Sequence, residues 1–254
     1  MGKVVRDFHA ALPGATVYVY DNGSTDATTD VARSAGAVVR HEATVGKGNV
    51  VRRMFADIEA DVYVMVDGDD TYDAAAAPAM VRTLLERNLD MVIGGRVSEA
   101  AAAFRTGHVL GNKIFSRLHT VLFGSEFGDV FSGYRVLSRR LVKSFPTTAA
   151  GFEIEAELSI HAIDIRASYA EVPVRYRARP GESSSKLRTY ADGWRILLRS
   201  ILLYKEMHPA RFFGVFFLLF GLTGLGLAVP VLQEFARSGQ VPRFPPAILA
   251  AALE

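Results

Sequence analysis

Over roughly the first 180 residues, short apolar runs alternate with longer stretches in which apolar residues recur every three or four positions. Val17–Tyr20, Val38–Arg40, Val62–Val66 and Met91–Ile93 are β-branched or apolar runs closed by turn residues, which predicts strands. Between them Val50, Val51, Met54, Phe55 and Ile58 follow the spacing of a helix with one buried face. Strands alternating with helices predict an α/β fold, a parallel sheet with helices on both faces. In such sheets ligands bind beyond the carboxyl ends of the strands. The residues that close each strand are therefore the candidates for chemistry.

The pattern changes after residue 185. Lys186–Met207 places Trp194, Leu197, Leu198, Ile201 and Leu202 at helical spacing, with Arg188, Arg195 and Arg199 on another face. A basic amphipathic helix of this kind is expected to lie in a membrane interface. Phe212–Leu232 then runs for 21 residues without a charged side chain. As a helix it would span about 31 Å, close to the thickness of a bilayer's hydrocarbon core. Gly221, Gly224, Gly226 and Pro230 suit a membrane helix better than a soluble one. A second apolar run, residues 244–254, is expected to begin a returning membrane helix that the chain leaves incomplete. Lys205 and Arg211 flank the first span, so the preceding domain is expected on the cytoplasmic side of the membrane. The membrane helices also offer a surface for homo-oligomerisation.

Composition narrows the function. The chain has 254 residues, 50% hydrophobic and 22% charged, with a mean hydropathy of +0.17, too apolar for disorder. Lys and Arg number 29 against 27 Asp and Glu, so no basic excess argues for nucleic acid. The absence of cysteine removes disulfides, thiolate catalysis and thiolate zinc sites. The six histidines show no ligand spacing, so a bound metal would rest on oxygen.

The first predicted strand ends in Asp21-Asn22-Gly23-Ser24-Thr25-Asp26. An acid at a strand's last position can accept hydrogen bonds from a nucleobase or a ribose. The third run leads directly into Asp67-Gly68-Asp69-Asp70-Thr71-Tyr72-Asp73, four carboxylates within seven residues. A hard divalent cation, Mg²⁺ or Mn²⁺, would relieve their repulsion, with substrate phosphates completing its shell. Gly68 lets the backbone approach such a ligand closely. Two enzyme classes place Asp-x-Asp after a buried strand. One is the aspartyl-phosphate phosphatase of the haloacid-dehalogenase type, with Asp67 as nucleophile and Asp69 as acid. The other is the nucleotide-sugar glycosyltransferase of the GT-A kind.

The rest of the chain separates them. DNGSTD (21–26), GKGN (46–49), DGDDTYD (67–73), GGR (94–96), DVFSGYRVLSRR (129–140), GFEIEAEL (151–158) and RPGESSSKL (179–187), followed by membrane helices, together resemble family 2 glycosyltransferases of the dolichol-phosphate-mannose or glucose synthase type. Each motif alone says little, but all seven stand in the family's order. The resemblance implies a GT-A, Rossmann-like domain over residues 1–185, then the interfacial helix (186–207) and the membrane spans (212–232 and 244–254). It implies transfer of a sugar from a nucleotide-diphosphate sugar to a polyprenyl phosphate at the cytoplasmic membrane face, with inversion at the anomeric carbon. A glycan acceptor on the same fold, the phosphatase, and a catalytically inactive membrane protein are the alternatives.

Carried over residue by residue, the resemblance implies that Asp21, Lys47, Asn49, Asp67 and Arg96 bind the donor. Asp67 and Asp69 would hold the metal bridging its diphosphate. Asp129, with Asp69, would be catalytic, orienting or deprotonating the acceptor. Arg135, Ser185, Lys186 and Arg188 would meet donor or acceptor phosphate. Apart from the resemblance, Glu153, Glu155 and Glu157 alternate in a segment expected to be helical, and they offer either one acid to the acceptor, with Glu157 the candidate, or a solvated face. The chain departs from the family in opening inside the helix marked by Val5, Phe8 and Leu12, without the first strand and its Pro-x-Tyr-Asn-Glu-like turn. An N-terminally shortened catalytic domain is therefore expected. Thr71 also stands where the mannose synthases often carry Gln as a further metal ligand.

Overall fold

The computed structural model describes residues 1–98, 117, 120–124, 127–146, 148–177, 189–240, 248–249 and 251–252. The chain divides into two compact units, Met1–Ser200 and Ile201–Glu254.

In the first unit the elements run α1 (Gly2–Ala11), β1 (Tyr18–Asp21), α2 (Thr28–Ser34), β2 (Val38–His41), α3 (Lys47–Asp57), β3 (Val62–Met65), α4 (Ala77–Glu86) and β4 (Met91–Ser98). After them come β5 (Arg135–Ser138), α5 (Arg139–Ser144), α6 (Ile154–Asp164), β6 (Tyr169–Tyr176) and α7 (Thr189–Met207), which continues into the second unit. Strands β1 and β2 pair in parallel, Tyr18 opposite Val38 through Asp21 opposite His41. The other four form a sheet of order β3-β5-β4-β6.

The expectation of a parallel sheet is corrected here. β4 and β6 are parallel, but β5 lies antiparallel between β3 and β4. It starts beside the end of β3, with Arg135 opposite Met65, and must therefore run back down the sheet. Its apolar content, Val136 and Leu137 between arginines, is too short to signal a strand in the sequence. β6 is the second strand that the hydrophobic pattern missed. It sits at the sheet's edge, the position in a sheet where a proline such as Pro173 is tolerated.

Helices cover both faces, as expected. Tyr63, Met91, Ile93 and Leu137 pack with Val51 and Phe55 of α3, Leu141 of α5 and Ile154 and Leu158 of α6. The opposite face packs Val92, Val136 and Val174 against Phe8 of α1 and Met80 and Leu84 of α4. Met91, Val92 and Ile93 are all inaccessible to solvent, which is why this strand reads as an unbroken apolar run. A third cluster joins Val5, Ala32 and Ala37 under β1 and β2.

On α7, Ile196 and Ser200 face the core, and Arg199 pairs with buried Glu157. Trp194, Leu198, Ile201 and Leu202 are exposed, so the helix leaves its apolar stripe open. In the second unit α8 (Pro209–Ser238) is a single 30-residue helix with mean hydropathy 2.3 over its most apolar stretch, long and apolar enough to cross a membrane. It contains the predicted 212–232 span and ends on Gly239 in the left-handed conformation. Most of the run from residue 244 lies outside the described residues.

One ionic clamp ties the lower end of the sheet. Asp90, just before β4, accepts from Arg140 Nε at 2.8 Å, Ser138 Oγ at 3.1 Å and Ser168 N–H at 3.0 Å. The Arg140 hydrogen bond, aided by Ser168 and Ser138 against partial burial, lowers the carboxyl to about 2. A depressed carboxylate stabilises the fold fully above about pH 4 and loses that contribution as pH falls through about 2. Asp90→Ala is expected to cost about 2 kcal/mol in urea unfolding at neutral pH and to flatten this acid limb.

Candidate active site

The acidic loop leaves β3 at the carboxyl end of the sheet. Asp67 Oδ1 accepts from Lys47 Nζ at 2.5 Å, and the same ammonium donates to Glu155. Lys47 is the first residue of α3 and Glu155 lies in the first turn of α6, so the packing of two helices beside β3 brings the three together. Burial opposes the lysine's charge, but Glu155 and Asp67 outweigh it and hold the ammonium well above its usual range. Asp69 Oδ1 accepts the Thr71 hydroxyl at 2.6 Å and its N–H at 3.3 Å, which orients the carboxylate. Thr71 itself is buried. Asp70 adopts a left-handed backbone, φ 60°, and pairs with Lys3 at 2.7 Å.

Among the described residues no group of three or more acids or histidines is placed to hold a metal ion. Asp67 and Asp69 supply two carboxylates from one loop. Mg²⁺ and Mn²⁺ commonly take one or two carboxylates and complete their shells with water and substrate phosphates, so this donor set fits. Asp67 is paired with the Lys47 ammonium.

Asp21 ends β1 and is buried. Its Oδ1 accepts the Ser24 N–H at 3.1 Å and its Oδ2 lies 3.0 Å from His41 Nδ1. Hydrogen bonding from Ser24, with a smaller contribution from His41, outweighs burial and keeps the carboxyl below its usual range. The sequence tested His41 only as a metal ligand. The parallel register that sets it opposite Asp21 is a product of strand pairing.

The loop entering β5 carries the other acid. Asp129 is gripped by Arg96, Nε to Oδ2 at 2.6 Å and Nη2 to Oδ1 at 2.7 Å, and the guanidinium stands 5.6 Å from the Tyr176 ring centroid. Burial works against the arginine's charge, while Asp129 raises its proton affinity further. Four residues on, Gly133 passes so close to Asp67 that a Cβ there would meet Oδ2 at 2.3 Å. The tight SGYR turn thus joins Asp129 to the acidic loop.

Several expected contacts are not made. Arg135 is wholly buried and donates to the carbonyls of Ser132 at 3.0 Å and Val130 at 2.6 Å. It braces the turn that holds Asp129 and presents nothing to a phosphate. Asn49 is also turned inward, donating to Val45 O at 3.2 Å and accepting from Arg52 at 2.9 Å. At the N-terminus of α3 the Gly48 N–H bonds to Ala150 O at 3.0 Å. Glu157 is buried too, accepting from Ala149 N–H at 2.7 Å and Arg199 at 2.8 Å, and so anchors α7. Ser185, Lys186 and Arg188 lie outside the described residues. Glu155 and Glu171 are the acids that the sequence did not single out for this end of the sheet. Glu171, on β6, accepts the Gly128 N–H at 2.9 Å, and burial raises its carboxyl.

An α/β sheet with acids closing β1 and β3, and a third on a tight turn beside them, defines a GT-A nucleotide-sugar transferase. The chain belongs to glycosyl transferase family 2, whose model matches residues 5–145. It is 36% identical over 223 residues to the glycosyltransferase AglJ of Haloferax volcanii, covering 87% of this chain and 73% of that one. It is 32% identical to a dolichyl-phosphate hexose transferase of the same organism, over 76% of this chain and 83% of the relative. Glucosyl-3-phosphoglycerate synthase from Mycobacterium tuberculosis, in complex with Mn²⁺ and UDP-glucose, superposes with TM-score 0.59 at 23% identity, covering 79% of this chain and 82% of that one. At that identity the likeness shows the fold. The phosphatase alternative falls with the family assignment.

Lys47→Met is expected to leave Asp67 and Glu155 facing each other uncompensated and to lose about 3 kcal/mol in denaturant unfolding. The double change Lys47→Met with Glu155→Gln should recover part of that loss, since it removes both sides of the pair. An equal loss in single and double variants would exclude the coupling.

Proposed function

We propose that this glycosyltransferase moves a hexose from a nucleotide-diphosphate sugar to a polyprenyl phosphate at the cytoplasmic face of a membrane, with a divalent metal and inversion at the anomeric carbon. The observation that carries the membrane acceptor is α8, a 30-residue apolar helix following a GT-A domain. Similarity to a dolichyl-phosphate hexose transferase over most of both chains supports it. So does the exposed stripe of α7, which suits an interface helix.

In this reading Asp21, fixed by Ser24 and His41, receives hydrogen bonds from the donor's base or ribose. Asp67 and Asp69 hold Mg²⁺ or Mn²⁺, which when bound stabilises the charge that builds on the departing diphosphate. Lys47, which pairs with both Asp67 and Glu155, would keep Glu155 neutralised with the ion bound. A phosphomonoester has its second pKa near about 6, so the acceptor oxygen is largely anionic at neutral pH and needs no strong base. That agrees with Asp129 being locked to Arg96, where a carboxylate positions better than it accepts a proton. Ser185, Lys186 and Arg188 remain the proposed phosphate contacts from the membrane side.

The test is incorporation of labelled sugar from UDP-glucose or GDP-mannose, with Mn²⁺, into chloroform-extractable lipid by membranes carrying the protein. Transfer is expected to stop with EDTA, and Asp69→Ala should reduce it at least about 100-fold. Absence of label from lipid, or activity that survives both treatments, overturns the proposal.

A further inference from the structure

One cleft takes in the Arg96–Asp129 pair of the scheme above and extends beyond it to groups that scheme does not use. It lies between β4, β6 and the loop before β5, holds about 320 Å³, and is lined by Gly95, Arg96, Val97, Gly128, Asp129 and Glu171 among the described residues. Among the described residues its charged lining is two carboxylates and one guanidinium. The same groups suit a neutral, hydroxyl-rich ligand, because carboxylates accept from O–H groups and a guanidinium donates to ring or hydroxyl oxygens.

The two acids are not equivalent. Asp129 spends both oxygens on Arg96. Glu171 is held by a backbone N–H, at 2.9 Å from Gly128, and by no lysine or arginine hydrogen bond among the described residues. Its position depends on two glycines. A Cβ on Gly95 would stand 2.5 Å from Oε1, and one on Gly128 would stand 2.7 Å from Oε2. The main chain on both sides is thus trimmed to the carboxylate. The cleft is also continuous in sequence with the metal loop, since the turn that starts at Asp129 reaches Asp67 at Gly133.

We propose that Glu171 accepts a hydroxyl hydrogen bond from a hexose ring seated in this cleft and is a specificity-determining residue for that sugar. This rests on the chain being a nucleotide-sugar transferase and deepens it. The ring can be that of the donor or of a sugar acceptor, since the same carboxylate-to-hydroxyl chemistry serves both.

The full chain in sugar-free detergent micelles is titrated calorimetrically, with Mn²⁺, against whichever of UDP-glucose and GDP-mannose it binds and against the matching nucleoside diphosphate. If the donor sugar occupies the cleft, Glu171→Gln weakens the nucleotide sugar about tenfold and leaves the nucleoside diphosphate unchanged. Gly95→Ala, which displaces the carboxylate, should do the same. One donor of a deoxyfluoro series, lacking the hydroxyl that is read, should bind wild type and Glu171→Gln equally. If an acceptor sugar occupies it, both nucleotide affinities stay and the KM for octyl glucoside offered as acceptor rises about tenfold. Unchanged donor affinity together with an unchanged octyl glucoside KM overturns the proposal. A wild-type chain that binds neither nucleotide nor nucleotide sugar overturns the transferase reading, and this one with it.

Discussion

Carboxylates gathered at one end of a sheet and partly withdrawn from water must be compensated, and much of the fold around them serves that constraint. Asp67 takes Lys47, Asp69 takes Thr71, Asp70 takes Lys3, Asp129 takes Arg96 and Asp21 takes Ser24 and His41. Asp21 and Asp129 are buried, and leaving either without a partner would cost several kcal/mol, while the partly exposed acids of the 67–70 loop need their partners less. The partners come from α1, β2, α3 and β4, so the helices and strands must pack in one arrangement for the site to be neutralised.

The antiparallel β5 is the device that closes the site. Because it runs back between β3 and β4, its entry turn is delivered to the carboxyl end of β3, where Gly133 meets Asp67 and Asp129 meets Arg96. Arg135, buried under that turn and bonded to its carbonyls, makes the delivery rigid. An arginine that looks in the sequence like a phosphate ligand is thus a brace. Its burial is tolerated because the carbonyls of Val130 and Ser132 satisfy its donors and the acids nearby offset its charge.

The chain belongs to glycosyl transferase family 2 and has a GT-A fold, and α8 adds a long apolar helix after it. Between them α7 buries Ile196 and Ser200 on the catalytic domain while leaving Trp194 and Leu198 exposed. One helix therefore carries a buried face and an exposed apolar face. Glu157, deep in α6, holds it through Arg199.

The sequence by itself determined the α/β class, the acids that close β1 and β3, and the apolar helix, because each is written in neighbouring residues. Strand runs, Asp-rich turns and an uncharged 21-residue stretch are local signals. It did not show that β5 and β6 are strands, since Val136-Leu137 between arginines and a Pro-interrupted run carry little periodicity. Nor could it sort the charged residues by role. Lys47 and Glu155 are 108 positions apart, and Gly128 and Glu171 are 43 apart. Only tertiary packing decided which acid meets which cation, which arginine is buried, and where a carboxylate is left facing a cleft. Coulomb interactions and desolvation depend on distance in space, which the order of residues along the chain does not record.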